Sequence, residues 1–244
     1  MAFRAANSVA ASSNTISVTK PTGTAADDIL IFCITIDSAE SSFTWPSGFT
    51  ALHENRLGTD GQLTGIAWKR AGGSEPATYD ASVASSYSDG DHTATVAAFS
   101  GRNVTDPPVA ATASVSDTGN ASPVSAASNA VTAVAGDDLF HCGLMDPTGS
   151  GTTLTQAPHS GWTEITEQAQ DWAAHGASYI DNVSAGSTGA ITAVMTMNNS
   201  SAYVAHLVRI PAAAGGGGGD PEIALIRGGK LVGGGLLLKG GLRG

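Results

Sequence analysis

The sequence predicts an all-β fold: a jelly-roll-like β-sandwich built from two degenerate halves of about 105 residues, followed by a Gly-rich C-terminal docking tail. Three observations lead there. Of 244 residues only 13% are charged and 31 are glycine, while 41% are hydrophobic. That is about half the usual charge of a globular chain, with apolar residues enough for a core. Apolar residues alternate in short runs separated by turn signals at roughly 8–12-residue intervals. The same series of elements also recurs in the same order later in the chain.

In the first half, Thr15 to Val18 alternates before a Lys20-Pro21-Thr22-Gly23 turn. Ile29 to Ile36 is a β-branched run of strand length. Leu63 to Arg70 reads as a strand with Ile66, Trp68 and Arg70 on one face. Tyr79 to Val83 and Thr93 to Phe99 follow, separated by the Ser88-Asp89-Gly90-Asp91 turn. In the second half the strands are Ser122 to Val134, Leu139 to Leu144, Trp162 to Glu167, Ala174 to Ile180, Ala190 to Met197 and Ala202 to Ile210. The stretch Thr163 to Tyr179 has helix-forming residues, but its counterpart contains Gly58, Gly61 and Gly65, so it is read as two strands.

Four matches carry the repeat. Asp27-Asp28 with its apolar run matches Asp137-Asp138 with Leu139 to Cys142. Pro46-Ser47-Gly48-Phe49-Thr50 matches Pro158 to Thr163 with one insertion. Ile66 to Trp68 falls opposite Ala177 to Tyr179, and Ala94 to Phe99 opposite Ala202 to Leu207. The domain reading is a sandwich over 1–214 with pseudo-repeats of about 1–108 and 109–214. One shared core is favoured over two tandem sandwiches, because a single core buries a larger fraction of its surface.

Residues 215–219 are five glycines, a flexible linker, and 220–244 form the tail. Ile223, Leu225, Ile226, Leu231, Val232, Leu236, Leu237 and Leu238 make it too apolar for a solvated end. Glycines break it too often for a membrane span or an amphipathic helix. It carries four basic and two acidic side chains, leaving −12 of the total −10 on residues 1–214. Docking on a partner's sheet edge, or assembly with sister tails, is the expectation.

Chemistry is harder to find. The net charge of −10 and pI near 4.8 argue against nucleic-acid binding, and no run reaches the length of a membrane span. The start of the chain lacks the apolar stretch of a secretion signal. Cys33 and Cys142 each lie in an apolar run and read as buried thiols, with a bridge between them left open. His53, His92, His141, His159, His175 and His206 show no metal-ligand spacing. The Asp27-Asp28 and Asp137-Asp138 pairs precede core strands and read as turn chemistry. No nucleophile elbow or phosphate loop precedes a helix, so no catalytic residue, metal or cofactor is expected. Among the aromatics, Trp45 and Trp172 lack clear repeat counterparts and are the candidates for sugar stacking. Phe49 and Trp162 are counterparts of each other and are assigned to the core.

Lys20-Pro21-x-Gly23, Asp27-Asp28, Pro46-Ser-Gly48-Phe-Thr50, Ala71-Gly-Gly-Ser-Glu75-Pro76-Ala-Thr-Tyr79, Ala98-Phe-Ser-Gly101 and Asp106-Pro107-Pro108 together resemble a family of tailed-phage and prophage sandwich proteins. The resemblance covers about residues 1–214; His141 departs from it by interrupting an apolar strand. It implies a non-enzymatic virion protein assembled in the bacterial cytoplasm: a tail-fibre or tail-tip component attached through its tail to other virion proteins. A homo-oligomer, with a trimer favoured, and contact with a host-surface glycan are the expected partners. The alternatives are a head decoration protein anchored by the tail, and a carbohydrate-binding module.

Overall fold

A computed structural model of the chain describes residues 3–57, 61–85 and 90–213. The tail positions Ile223 to Leu238 lie outside the described residues, as do Ser88 and Asp89 of the predicted turn. Every regular element described is a strand. In chain order these are β1 (Phe3–Ser12), β2 (Thr15–Thr19), β3 (Ile29–Asp37), β4 (Thr50–Leu57), β5 (Gln62–Arg70), β6 (Thr78–Ser82), β7 (Asp91–Phe99), β8 (Val109–Ala110) and β9 (Ser114–Asn120). The chain continues through β10 (Val124–Ala127), β11 (Thr132–Ala133), β12 (Asp138–Pro147), β13 (Leu154–Ala157), β14 (Thr163–Gln170), β15 (Ala173–Ile180), β16 (Gly186–Ser187), β17 (Thr192–Met197) and β18 (Ser201–Ile210). The helix-prone stretch 163–179 is indeed two paired strands, β14 and β15.

Pairing is antiparallel and nested. In the first half β1 pairs with β7, β2 with β6, and β3 with both β5 and β7. The main sheet therefore runs β1-β7-β3-β5-β4, with β2-β6 as a separate ribbon. In the second half β9 pairs with β18, β10 with β17, and β12 with both β15 and β18. Its main sheet runs β14-β15-β12-β18-β8, with β9 also on β18 and with β10-β17-β13 and β11-β16 separate.

The unbroken apolar character of β3 has a direct cause: both of its faces are buried. Leu30, Phe32, Ile34 and Ile36 pack with Ile16, Val18, Tyr79 and Ala81 of the β2-β6 ribbon. Ile29, Ile31 and Cys33 point the other way, onto Phe140, Cys142, Val208 and Ile210 of the second main sheet. β12 is used alike, since Met145 on its opposite face joins Val124, Ala126, Ala193 and Met195 of β10 and β17. The result is four stacked layers, with the two main sheets inside and a smaller sheet outside each. Edge strands β4 and β14 each carry a bulge, between Ala51 and His53 and between Glu164 and Thr166. The extra residues, Leu52 and Ile165, pack into the central layer.

The observed registers correct two of the sequence matches. Cys33 lies opposite Thr95 and Cys142 opposite His206, so Ala94 corresponds to Ala205 and not to Ala202. Alternating Ala and Val do not pin a register, and an odd slip exchanges the two faces. The aspartate pairs are one residue out of step as well. Asp28 accepts from the Ala25 amide and pairs with Arg4, whereas it is Asp137 that accepts from Val134 and pairs with Arg209. Asp27 and Gly136 then occupy matching left-handed positions, with φ of 68° and 89°. Asp138 falls where the first half has Ile29, fully buried, and is held by Arg102 at 3.0 Å. It is a buried ion pair inside the turn chemistry.

One glycine of the first main sheet is required by packing. A Cβ on Gly65 would stand 2.8 Å from ring atoms of both Phe43 and Trp45. Gly65→Ala is expected to destabilise by about 2 kcal/mol through this overpacking, read as a lowered urea midpoint with an unchanged slope.

Candidate functional site

The layer between the main sheets holds a connected set of buried polar groups. His175 Nε2 is 2.7 Å from Thr95 Oγ1, which is 2.8 Å from Ser8 Oγ; Ser8 in turn donates to Thr166 at 3.1 Å. Towards the same end Thr35 donates to Gln62 at 2.8 Å, and Gln62 donates to the Trp172 carbonyl. His206 stacks on His53 with centroids 5.5 Å apart, and neither of its ring nitrogens has a hydrogen-bond partner among the described residues. Burial pushes His175 and His206 down to about 3 and His141 to about 4, so all three rings are neutral at pH 7. Asp37 is pushed up to about 6, by burial and then by the Asp91 carboxylate. Cys33 and Cys142 face each other in this layer as free, buried thiols. Burial and the neighbouring Cys33 thiol raise Cys142 well above the usual thiol range. Among the described residues no three His, Cys, Asp or Glu side chains are placed to share a metal ion. Thr35, Gln62, Thr95, His175, His206, Cys33 and Cys142 are buried in the core, while Ser8, Asp37, His53 and Thr166 are half-buried at its margin.

Two surface clefts are more accessible, and they sit at matching places. Each lies between a Gly turn and the ribbon beyond it. Phe49 N donates to Pro46 O at 3.0 Å around Gly48, and Trp162 N donates to His159 O at 2.9 Å around Gly161. The glycines adopt φ of 83° and 84°, a conformation that demands glycine. The first cleft, about 380 Å³, is bordered by Pro46, Ser47, Lys69, Pro76, Thr78, Tyr79 and Asp80. Lys69 Nζ lies 6.0 Å above the Phe49 ring and 5.9 Å above the Tyr79 ring. Glu75 holds it there at 2.9 Å while also accepting from the Tyr79 hydroxyl and the Gly72 amide. That network lowers the Glu75 carboxyl below its ordinary range despite partial burial.

The second cleft, about 240 Å³, is different in character. Trp162 and His159 form one wall, Leu139, Ile180 and Ile191 the floor, and Ser160, Ser184 and Ser187 the rim. Among the described residues no Lys, Arg, Asp or Glu side chain lines it. The Trp162 ring is half-buried, edge-on to His141 and to His159 at 6.3 and 6.5 Å.

The sequence candidates are placed apart from both clefts. Trp45 is half-buried, its indole donating to Glu54 at 2.6 Å and its ring packed on Phe32 and Phe43. Trp172 is 41% exposed, at the β14–β15 turn. Trp162, assigned to the core from its likeness to Phe49, does pack against a buried cluster that includes Leu139 and Ile191, and it also borders the cleft. The signal that could have found it was the replacement of Lys69 by Ile180 at the matching position, which removes the cover. Fold and clefts together define a stack of antiparallel β-sheets, with no helix among the described residues, that carries two surface depressions. Comparison with family models, curated proteins and solved structures returns no match to the chain.

Proposed function

We propose that this chain is a non-enzymatic structural protein of a bacteriophage virion, a tail-fibre or tail-tip component that displays its β body and attaches through its C-terminal tail. The body is read as two copies of one jelly-roll-like unit stacked back to back. What supports the duplication is the nested pairing, β1–β7, β2–β6 and β3–β5 against β9–β18, β10–β17 and β12–β15. Matched edge bulges at Leu52 and Ile165 add to it.

The observation that carries the functional reading is how the chain leaves the body. The Ala212 amide donates to Asp137 at 2.9 Å, Ala212 bridges to Arg102, and Asn103 donates to the Pro211 carbonyl at 3.0 Å. The body is tied off at that point, directly before the glycine run and the apolar tail. A rigid body that spends its polar groups internally, ahead of a chemically distinct tail, suits a displayed part with a separate attachment element. A head decoration protein anchored by the same tail is the neighbouring reading.

Light scattering on the full chain and on a version ending at Ala214 tests the attachment element. The full chain is expected as a trimer or larger and the truncation as a monomer; two monomers would refute self-assembly through the tail. Peptide counting in purified particles tests the location. A few copies per particle are expected, and hundreds would favour the head.

A further inference from the structure

We propose that the cleft beside Trp162 binds a neutral saccharide, one sugar ring stacking on the indole while its hydroxyls meet His159, Ser160 and Ser184. The inference goes beyond the virion reading and stands whether or not that reading holds.

The argument begins with what the matching cleft lacks. In the first half the aromatic of the Gly turn is covered by the Lys69 ammonium, held by Glu75, with Tyr79 edge-on to Phe49. In the second half Ile180 stands opposite Leu139 as Lys69 stands opposite Leu30. No ammonium is available there, and the aromatic has grown from Phe to Trp. The second cleft therefore presents a larger π surface with its polar cover removed.

The lining then selects the ligand. Among the described residues no Lys, Arg, Asp or Glu lines the cleft, so its lining does not balance an anion or a cation. A wholly apolar ligand would strip water from His159 and the rim serines without replacing their hydrogen bonds. A pyranose satisfies both demands, since its C–H face packs on an indole and its equatorial hydroxyls point to the rim. His159 offers Nε2 for this, because Nδ1 accepts from the Thr192 amide at 3.5 Å and Nε2 carries no hydrogen bond among the described residues. The volume of about 240 Å³ lies below the usual range of drug-sized ligand sites, which suits a single ring of a longer glycan. The turn that carries Trp162 is fixed by Gly161 and by its own backbone bond, so the platform is pre-organised.

The test is an NMR titration of the full chain with methyl glucoside, methyl galactoside and N-acetylglucosamine, each taken to 50 mM, about the highest useful level for a single-ring contact. The four indole N–H signals are the readout, assigned by Trp→Phe substitution. Saturable shift of the Trp162 signal with at least one sugar, and little movement of Trp45, Trp68 or Trp172, is the expected result. Trp162→Ala should abolish the response. Because that residue also packs on the core, Ser184→Phe serves as the second variant: it fills the cleft from an exposed position and should weaken binding at least tenfold with the fold intact. No shift at Trp162 with any of the three sugars overturns the proposal. A shift that Ser184→Phe leaves unchanged, or one centred on Trp172, overturns it equally.

Discussion

Arg102→Ala is expected to destabilise the protein by about 3–5 kcal/mol at pH 7.5, because it leaves a buried carboxylate without its counter-ion. Arg102 is 5% exposed and Asp138 fully buried. The guanidinium reaches Asp138 at 3.0 Å, the Gly136 carbonyl at 3.1 Å and the Ser100 carbonyl at 3.2 Å. Without it, Asp138 keeps the Asn182 amide at 3.0 Å as its hydrogen bond through Oδ1. Burial already pushes Asp138 up to about 6, even with Arg102 present. The loss should therefore shrink below pH 6, where the carboxyl is protonated and no unpaired charge remains. The first half suggests the rescue, since Ile29 fills the position that Asp138 fills in the second. Arg102→Met combined with Asp138→Ile should recover most of the stability, as apolar replacements of buried pairs commonly do. Urea unfolding at pH 7.5 and 5 reads all of this; a loss below about 1 kcal/mol for Arg102→Ala would show that the pair is not structural.

Acid is the second large lever. Lowering the pH from 7.5 to 4.5 is expected to remove roughly 5 kcal/mol, enough to unfold a domain of ordinary stability. His175 and His206 are held neutral down to about pH 3 and His141 to about 4. In the unfolded chain each takes up a proton near its ordinary value of about 6.5. Their stabilisation is thus complete above pH 6.5 and declines as the pH falls towards the folded values. At pH 4.5, about two units below the unfolded value, protonation favours the unfolded state by about 3 kcal/mol per ring. Asp37 and Asp138 act in the opposite sense between pH 6 and 3.8, since their raised carboxyls protonate earlier in the folded state. They offset part of the histidine effect. His206→Phe isolates one ring: it replaces two partnerless nitrogens in an apolar setting and keeps the stack on His53. It should lessen the acid loss by about 3 kcal/mol, roughly half of the net change, without loss at pH 7.5. An unchanged acid midpoint would show that His206 is not one of the groups responsible.

The all-β class, the strand character of Ile29–Ile36 and the pairing of the Thr163–Tyr179 stretch were all legible in residue types and local spacing. Strand propensity and turn glycines are local properties, so the chain states them directly. The long edge strands β1 and β4 escaped notice because neither is strongly patterned: most of their residues are only half-buried. Register escaped too, since the Ala and Val of β7 and β18 read alike in either phase. The candidate site was legible only in part. Gly48-Phe49 and Gly161-Trp162 announced two matching turns, but whether an aromatic is covered depends on a residue two strands away, Lys69 in one half and Ile180 in the other. By itself the sequence determined strands, turns and an apolar tail set off by glycines. Tertiary structure alone decided that β3 and β12 bury both faces, that Asp138 is an interior ion pair and not a turn residue, and that Trp162 borders a cleft. Those outcomes depend on which sheet faces which, and that is settled by apolar surface buried between residues about a hundred positions apart.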